Sequence, residues 1–442
     1  MRLTIVGGGG FRVPLVYEAV ARAKDRVPIT EVMLTDSDPE RLAAMARVLA
    51  DVPGAGALPV HTTTDLDDAL RGSAVIFAAV RVGGTRGRIL DERIALSRGL
   101  LGQETIGPGG LAYAIRTLGV MEDLARRAAR LAPESWIINF TNPAGLITEA
   151  MHAHNPRVVG ICDTPIGLVR RVARVLEVDI GDAEIGYIGL NHLGWLRTFI
   201  IDGVDHLPRL LADPGLLGRI EEARTLGIEW VQALGGLPNE YLYYYYFTRE
   251  AIASIAGAQA TRGEFLDAQQ GGFYNQVAEH PQIAGKLWET TLAEREATYM
   301  AEARDHEREE EDLGGGYHEV AVDLMAGLLA GERGRMILDV PNNGAIPALP
   351  DDAVIEIPCE VDERGVHQIR PAAALDLDQL GIVAAVKAAD RALIAAVRAG
   401  SRSGAWHAFG VHPLVDSATV AQDLVNDYIA AQPLIAAALP HP

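Results

Sequence analysis

Cysteine is scarce: Cys162 and Cys359 are the only two in 442 residues, too few for a disulfide framework. Long hydrophobic runs are missing as well, since no apolar stretch approaches the roughly 18 residues that a bilayer span needs. The opening Met1-Arg2-Leu3-Thr4-Ile5-Val6 passes straight into glycines, which leaves no room for the apolar core of a signal peptide. These absences predict a cytoplasmic chain with no membrane partner and two free thiols, and a free thiol can serve as a metal ligand. Positive charge is the third shortage. Lys plus Arg number 39 against 59 Asp plus Glu, a formal charge of −20. Phosphate backbones are bound by basic surfaces, so this balance argues against nucleic acid. Any anionic ligand would need local cations.

What is present reads as an α/β enzyme in two packed lobes. Strands are predicted at Arg2–Val6, Ile29–Thr35, Ala74–Val80, Trp136–Phe140 and Val158–Ile161, with helices at Pro14–Lys24 and Pro39–Leu49. The unbroken apolar runs among these strands suit a parallel sheet covered on both faces. Beyond about Gly203 the pattern changes to long Ala/Leu-rich helices, with strands near Met336–Val340 and Val354–Val361. The expected fold is a Rossmann-like, doubly wound parallel sheet over residues 1–190. A second, mostly helical α+β substrate domain over residues 191–442 folds back on it. The charged run Asp305–Asp312 reads as a solvated helix face.

The first strand ends in Gly7-Gly8-Gly9-Gly10, followed by Phe11 and Arg12. Without Cβ atoms the backbone can approach a pyrophosphate, and the following helix presents its N–H groups and positive dipole end. Asp36 closes the second strand, where a carboxylate would accept hydrogen bonds from an adenine ribose and favour NAD over NADP. Gly7 and Gly9 fit G-x-G-x-x-G, but Arg12 holds the third glycine position.

Polar segments follow the other strand ends, where open α/β sheets place their ligands. They are Arg81–Arg93, Gly102–Gly110, Thr141-Asn142-Pro143, Cys162-Asp163-Thr164-Pro165 and Gly189–Trp195. In these segments, in Tyr241–Tyr245 and in Leu338–Ile346, the chain resembles the family 4 glycoside hydrolases, particularly their 6-phospho-β-glucosidase branch. The resemblance covers most of residues 1–361. It implies chemistry unlike two-carboxylate hydrolysis. NAD+ takes hydride from carbon 3 of the sugar and the carbon 2 proton becomes acidic. The group on carbon 1 is then eliminated, water adds and the hydride returns.

On that resemblance Cys162 and His192 are the metal ligands and the metal is Mn2+, although the softness of a thiolate–imidazole pair would suit zinc. Tyr241 is the base at carbon 2 and Glu104 the residue that raises its basicity, while Asp163 falls where a proton donor sits. A tyrosine with an ordinary pKa of about 10 needs a nearby cation for that task. Arg88, Asn142 and Arg262 match substrate-holding positions, and a 6-phosphate would require such cations. A homodimer or homotetramer is also implied.

Two features depart from the β-branch pattern. Asp163 is typical of the α-glycoside branch, where β relatives more often carry Asn. Leu313 and Glu319 replace residues common in phospho-β enzymes, which weakens the case for a phosphorylated sugar. The reading is therefore a glycosidase acting on a small 6-phospho-β-glucoside, with a 6-phospho-α-glucoside or an unphosphorylated glycoside as alternatives. An NAD-dependent 2-hydroxy-acid dehydrogenase shares the first-domain plan and is the competing enzyme class. A non-enzymatic NAD sensor would have no need of Cys162, His192 and Tyr241 together.

Overall fold

The computed structural model describes residues 1–298 and 316–442; the run Asp305–Asp312 and Leu313 lie outside the described residues. Six parallel strands open the chain: β1 (Arg2–Val6), β2 (Glu31–Thr35), β3 (Val60–Thr63), β4 (Ser73–Ala78), β5 (Trp136–Asn139) and β6 (Val158–Gly160). They lie in the order β3-β2-β1-β4-β5-β6, the arrangement of a dinucleotide-binding sheet with its crevice between β1 and β4. Burial on both faces explains their near-continuous apolar sequence, as in Ser73–Ala78, which reads SAVIFA. The weakly apolar β3, VHTT at the sheet edge with an exposed centre, carries no such signal.

The sheet does not stop at β6. β7 (Glu184–Leu190) and β8 (Leu193–Ile201) form a tight hairpin, and β9 (Val204–Asp205) pairs with β8. β10 (Leu237–Pro238), β11 (Gly334–Pro341), β12 (Val354–Asp362) and β13 (Gly365–Gln368) complete it. β11 lies antiparallel to β6, β12 to β11 and β7 to β12. Residues on both sides of position 190 thus share one sheet. Asp339 pairs with Gly160 and with Glu356, and Glu356 pairs with Gly189, so one row of register partners links β6 to β7.

Helix ends follow their sequence signals. Asp38 caps Pro39–Leu49 by accepting from Glu40 N and Arg41 N, each at 3.0 Å, and Pro14 opens Val13–Arg22. One face of the sheet is covered by Val13–Arg22, Pro39–Leu49 and Tyr317–Ala330. The other holds Gly107–Leu131 and Ala144–His152, over which Leu377–Ala399, Arg402–Val411 and Ala418–Ala431 pack. Among the described residues no helix is long and apolar enough to cross a membrane.

Candidate active site

A cavity of about 1110 Å³ opens at the carboxyl ends of the parallel strands, between the glycine turn and the β7–β8 hairpin. Its lining includes Gly7, Gly9, Gly10, Phe11, Arg12, Asp36, Arg88, Glu104, Asn142, Cys162, Asp163, His192, Tyr241 and Arg262. Every site residue expected from the sequence borders it except Gly8. That glycine turns the other way: its N–H donates to Thr35 O at 2.8 Å, and a Cβ would press on Leu34 Cβ at 2.7 Å. Gly8 thus joins the turn to β2 instead of facing a ligand. Phe11 also has a core role, its ring edge-on to Phe273 at 5.1 Å.

The turn fits a dinucleotide. Gly7 has φ +90°, and a Cβ there would run into the carbonyl of Ala79, so only glycine keeps the backbone open to the cavity. Asp36 braces the turn, Oδ2 accepting from Gly9 N at 2.9 Å and Oδ1 from Asp38 N at 3.0 Å. Its carboxylate therefore stands at the end of β2 beside the glycines, where a ribose would lie.

The metal-ligand candidates are each prepared by their surroundings. His192 is one of the two turn residues of the β7–β8 hairpin and is held at φ +62°, a left-handed conformation that costs a non-glycine residue on the order of 1 kcal/mol. Its Nδ1 lies 3.2 Å from Thr105 Oγ1, which leaves Nε2 as the nitrogen able to coordinate. Burial pushes its pKa down to about 4, partly offset by the charge of Glu104. The ring is neutral at pH 7, as a metal ligand must be. Cys162 is buried just ahead of the helix Thr164–Leu176. Burial, then the charges of Glu356 and Asp163, push its thiol well above the usual range, against the bonds Thr164 offers. Such a thiol ionises readily only with a cation at hand. A neutral imidazole and a cation-demanding thiol, both lining the cavity, are side chains suited to a divalent ion whose remaining positions are open to substrate oxygens. Among the described residues no group of three or more His, Cys, Asp or Glu is placed to hold an ion.

Tyr241 lies in the 3-10 turn Glu240–Leu242, started by Asn239, whose side chain accepts from Tyr241 N at 2.9 Å. Its ring stacks flat on His192, centroids 3.8 Å apart and planes 4° from parallel. Asp163 follows the thiol directly, Oδ1 4.0 Å from Sγ.

Arginines crowd the cavity of this acidic chain. Beside Arg12, Arg88 and Arg262 the structure brings in Arg81 and Arg295, for which no site role was expected. Burial, then the guanidiniums of Arg12, Arg262, Arg81 and Arg88, push the Arg295 pKa down to about 9, because like charges close together disfavour the charged form. Glu104 faces Arg81 Nη1 at 2.6 Å and Arg88 Nη1 at 2.8 Å. Burial alone would raise its carboxyl, but those two charges outweigh it and hold the pKa at about 2. Glu92 takes the other side of Arg88 at 2.6 Å. Arg262 donates to the carbonyls of Thr298 at 3.2 Å and Arg295 at 3.0 Å. Nothing local marks Arg295: within AEREA it reads as a solubilising helix residue.

The chain matches the model described as "Family 4 glycosyl hydrolase" over residues 2–178 and that of its C-terminal domain over 187–415. It is 30% identical over 447 residues to the "Probable 6-phospho-beta-glucosidase" of Bacillus subtilis (strain 168), covering 98% of this chain and 96% of that one. It is 28% identical over 450 residues to the maltose-6'-phosphate glucosidase of Fusobacterium mortiferum, covering 97% of each. The 6-phospho-beta glucosidase of Thermotoga maritima, solved with manganese, NAD+ and glucose-6-phosphate, superposes with a TM-score of 0.80 at 27% identity, covering 98% of both chains. With matches of this extent to both models, the chain belongs to the family 4 glycosyl hydrolases.

Proposed function

We propose that the protein is a 6-phospho-β-glucosidase that binds NAD at the glycine turn and Mn2+ at Cys162 and His192. The observation that carries this reading is the cavity itself. One volume joins the glycine turn, the thiol and neutral imidazole, the stacked phenol and seven arginines, on a chain whose overall charge is −20. The nucleotide-binding lobe spans residues 1–190 and the substrate lobe 191–442.

When bound, NAD+ accepts and returns a hydride at carbon 3, and the cation polarises the oxygens on carbons 2 and 3. The chain's own residues do the rest. Tyr241 takes the proton from carbon 2, its ring held against His192. Asp163 gives a proton to the leaving oxygen on carbon 1. Arg88 and Arg262, joined by Arg81 and Arg295, hold the 6-phosphate, and Asn142 holds sugar hydroxyls. Glu104 keeps Arg81 and Arg88 aligned and adds negative charge near His192.

Assay of 4-nitrophenyl β-glucoside 6-phosphate with NAD+, Mn2+ and a thiol reductant tests this. The unphosphorylated glucoside should turn over about a hundredfold or more slowly, because the arginines lose their anion. Product formed in heavy water should carry deuterium at carbon 2; product without it rules out the elimination route. Cys162→Ser should abolish metal-dependent turnover while NAD+ binding stays measurable, and full activity of that variant with a chelator present would defeat the metal assignment. A second reading, the α-anomer, is favoured by Asp163 beside the thiol, and faster cleavage of the α-glucoside 6-phosphate would select it.

A further inference from the structure

The carboxyl group of Glu356 is only 1% exposed in β12 and takes no part in the chemistry above. Its register partner on β7 is Gly189. Alternate residues of a strand share a face, so Tyr187 and Gly189 line up on β7, and Asn191 follows one residue past its end, with Glu356 opposite the bare glycine. Both neighbours use it. Asn191 Nδ2 donates to Oε1 at 3.2 Å, and the Tyr187 hydroxyl donates to Oε2 at 3.1 Å. The same hydroxyl accepts from Asn239 Nδ2 at 3.2 Å, and Asn239 Oδ1 accepts from Tyr241 N at 2.9 Å. Asn239 N is also fixed, donating to Gly194 O at 2.9 Å. A Cβ on Gly194 would strike the Tyr187 hydroxyl, so the glycine clears its path.

The geometry points to Glu356 as a positioning residue: through Asn191 on one side and the Tyr187–Asn239 relay on the other, it locks the His192 and Tyr241 rings against each other. One end of the chain of bonds is the residue before His192, and the other is the backbone of Tyr241. The inference rests on the reading above for the importance of those rings, but not for their arrangement. A carboxyl group suits the task because each of its two oxygens meets a different neighbour, Oε1 the Asn191 amide and Oε2 the Tyr187 hydroxyl. Glutamine keeps the size but turns one acceptor into a donor, facing either the Asn191 amide or a phenol already accepting from Asn239.

The test uses the full chain labelled with 13C-histidine. The ring current of Tyr241 shifts the His192 Cε1–H resonance, which His192→Ala identifies by its loss and Tyr241→Leu supplies in its unstacked position. Glu356→Gln and Tyr187→Phe should each move that resonance most of the way to the unstacked position, and the double variant should go no further than either. In the phosphoglucoside assay kcat should fall about tenfold to a hundredfold, with KM and the NAD+ dissociation constant changed less than about twofold. A simple loss of stability would not divide the constants in this way. An unmoved resonance in folded variants overturns the inference, as does a moved resonance with unchanged kcat. If Glu356→Gln does not fold, Tyr187→Phe, which removes a single oxygen, decides the matter. If the resonance moves but wild-type protein cleaves no phosphoglucoside, the tie stands and the glycosidase reading fails.

Discussion

Asp339 shows how one side chain can cost a fold stability. It is fully buried on β11, between Gly160 and Glu356 in register, and neither carboxyl oxygen has a hydrogen-bond partner among the described residues. Burial pushes its pKa up to about 7, with the Lys387 ammonium offsetting part of the effect; the neighbouring Glu356 carboxyl is raised too, by burial and by the charge of Asp339. Unfolded, Asp339 would release its proton near pH 4. Between about pH 4 and pH 7 the folded chain therefore holds a proton that the unfolded chain has lost, and stability falls as pH rises through that window. Asp339→Asn cannot ionise. It should match wild type near pH 4.5 and exceed it at pH 8 by on the order of 1–3 kcal/mol, measured by urea unfolding at both values. A difference that does not change with pH would show that Asp339 is not held protonated. Neither Asp339 nor Glu356 is legible as a buried group in the sequence. What marks them is a cross-strand neighbour, in one case 165 positions away. Cys162, Asp163 and His192 are legible because each closes a strand within a short polar segment, and the site builds on those strand ends.

Among the elements, the helix Arg262–Glu279 starts at the cavity, which its first residue borders, and on the proposed function that residue helps to hold the phosphate. A complete capping box starts it. Thr261 Oγ1 accepts from Glu264 N at 3.3 Å, and Glu264 Oε2 accepts from Thr261 N at 2.8 Å. Arg93 Nε anchors the same carboxylate at 2.9 Å. Thr261→Ala should cost about 1 kcal/mol and loosen the turn that presents Arg262. The expected result is a Tm lower by a degree or two and a KM for the phosphoglucoside raised several-fold, with kcat changed less. Thr261→Ser keeps the hydroxyl and should restore both; a raised KM in the serine variant would detach Arg262 from its cap. The elements of the parallel half were readable because apolar runs, glycine turns and caps are local signals. Strand ends moved by one or two residues, as in Ser73–Ala78 against the expected Ala74–Val80. Edge strand β3 and the joining of β11 and β12 to β6 were not readable. An exposed polar strand looks like a loop, and pairing across a sheet is settled by distant segments.

At the scale of the molecule, that joining makes the two lobes depend on each other. A cut at position 190 would leave β6 without β11 and β7 without both β8 and β12. It would also strip the outer side of Gly107–Leu131, where Leu393, Phe409, Leu424 and Tyr428 belong to the same core. Buried polar groups cross the cut as well. Asp91 pairs with Arg116 at 2.6 Å, and Gln432 donates to Asp91 at 2.9 Å. Glu149 receives Lys387 at 2.8 Å. Removing the later partners leaves buried groups unsatisfied, at about 1–3 kcal/mol or more for each, and the net stability of a whole protein is only about 5–15 kcal/mol. The first lobe should therefore not stand alone. Full-length protein should unfold in urea through one transition, with far-UV dichroism and tryptophan fluorescence coinciding. A fragment of residues 1–190 should give no cooperative transition and no measurable NAD+ binding. Two resolved transitions, the later one retaining nucleotide affinity, would mean that the shared sheet transmits little and that the lobes fold as independent units.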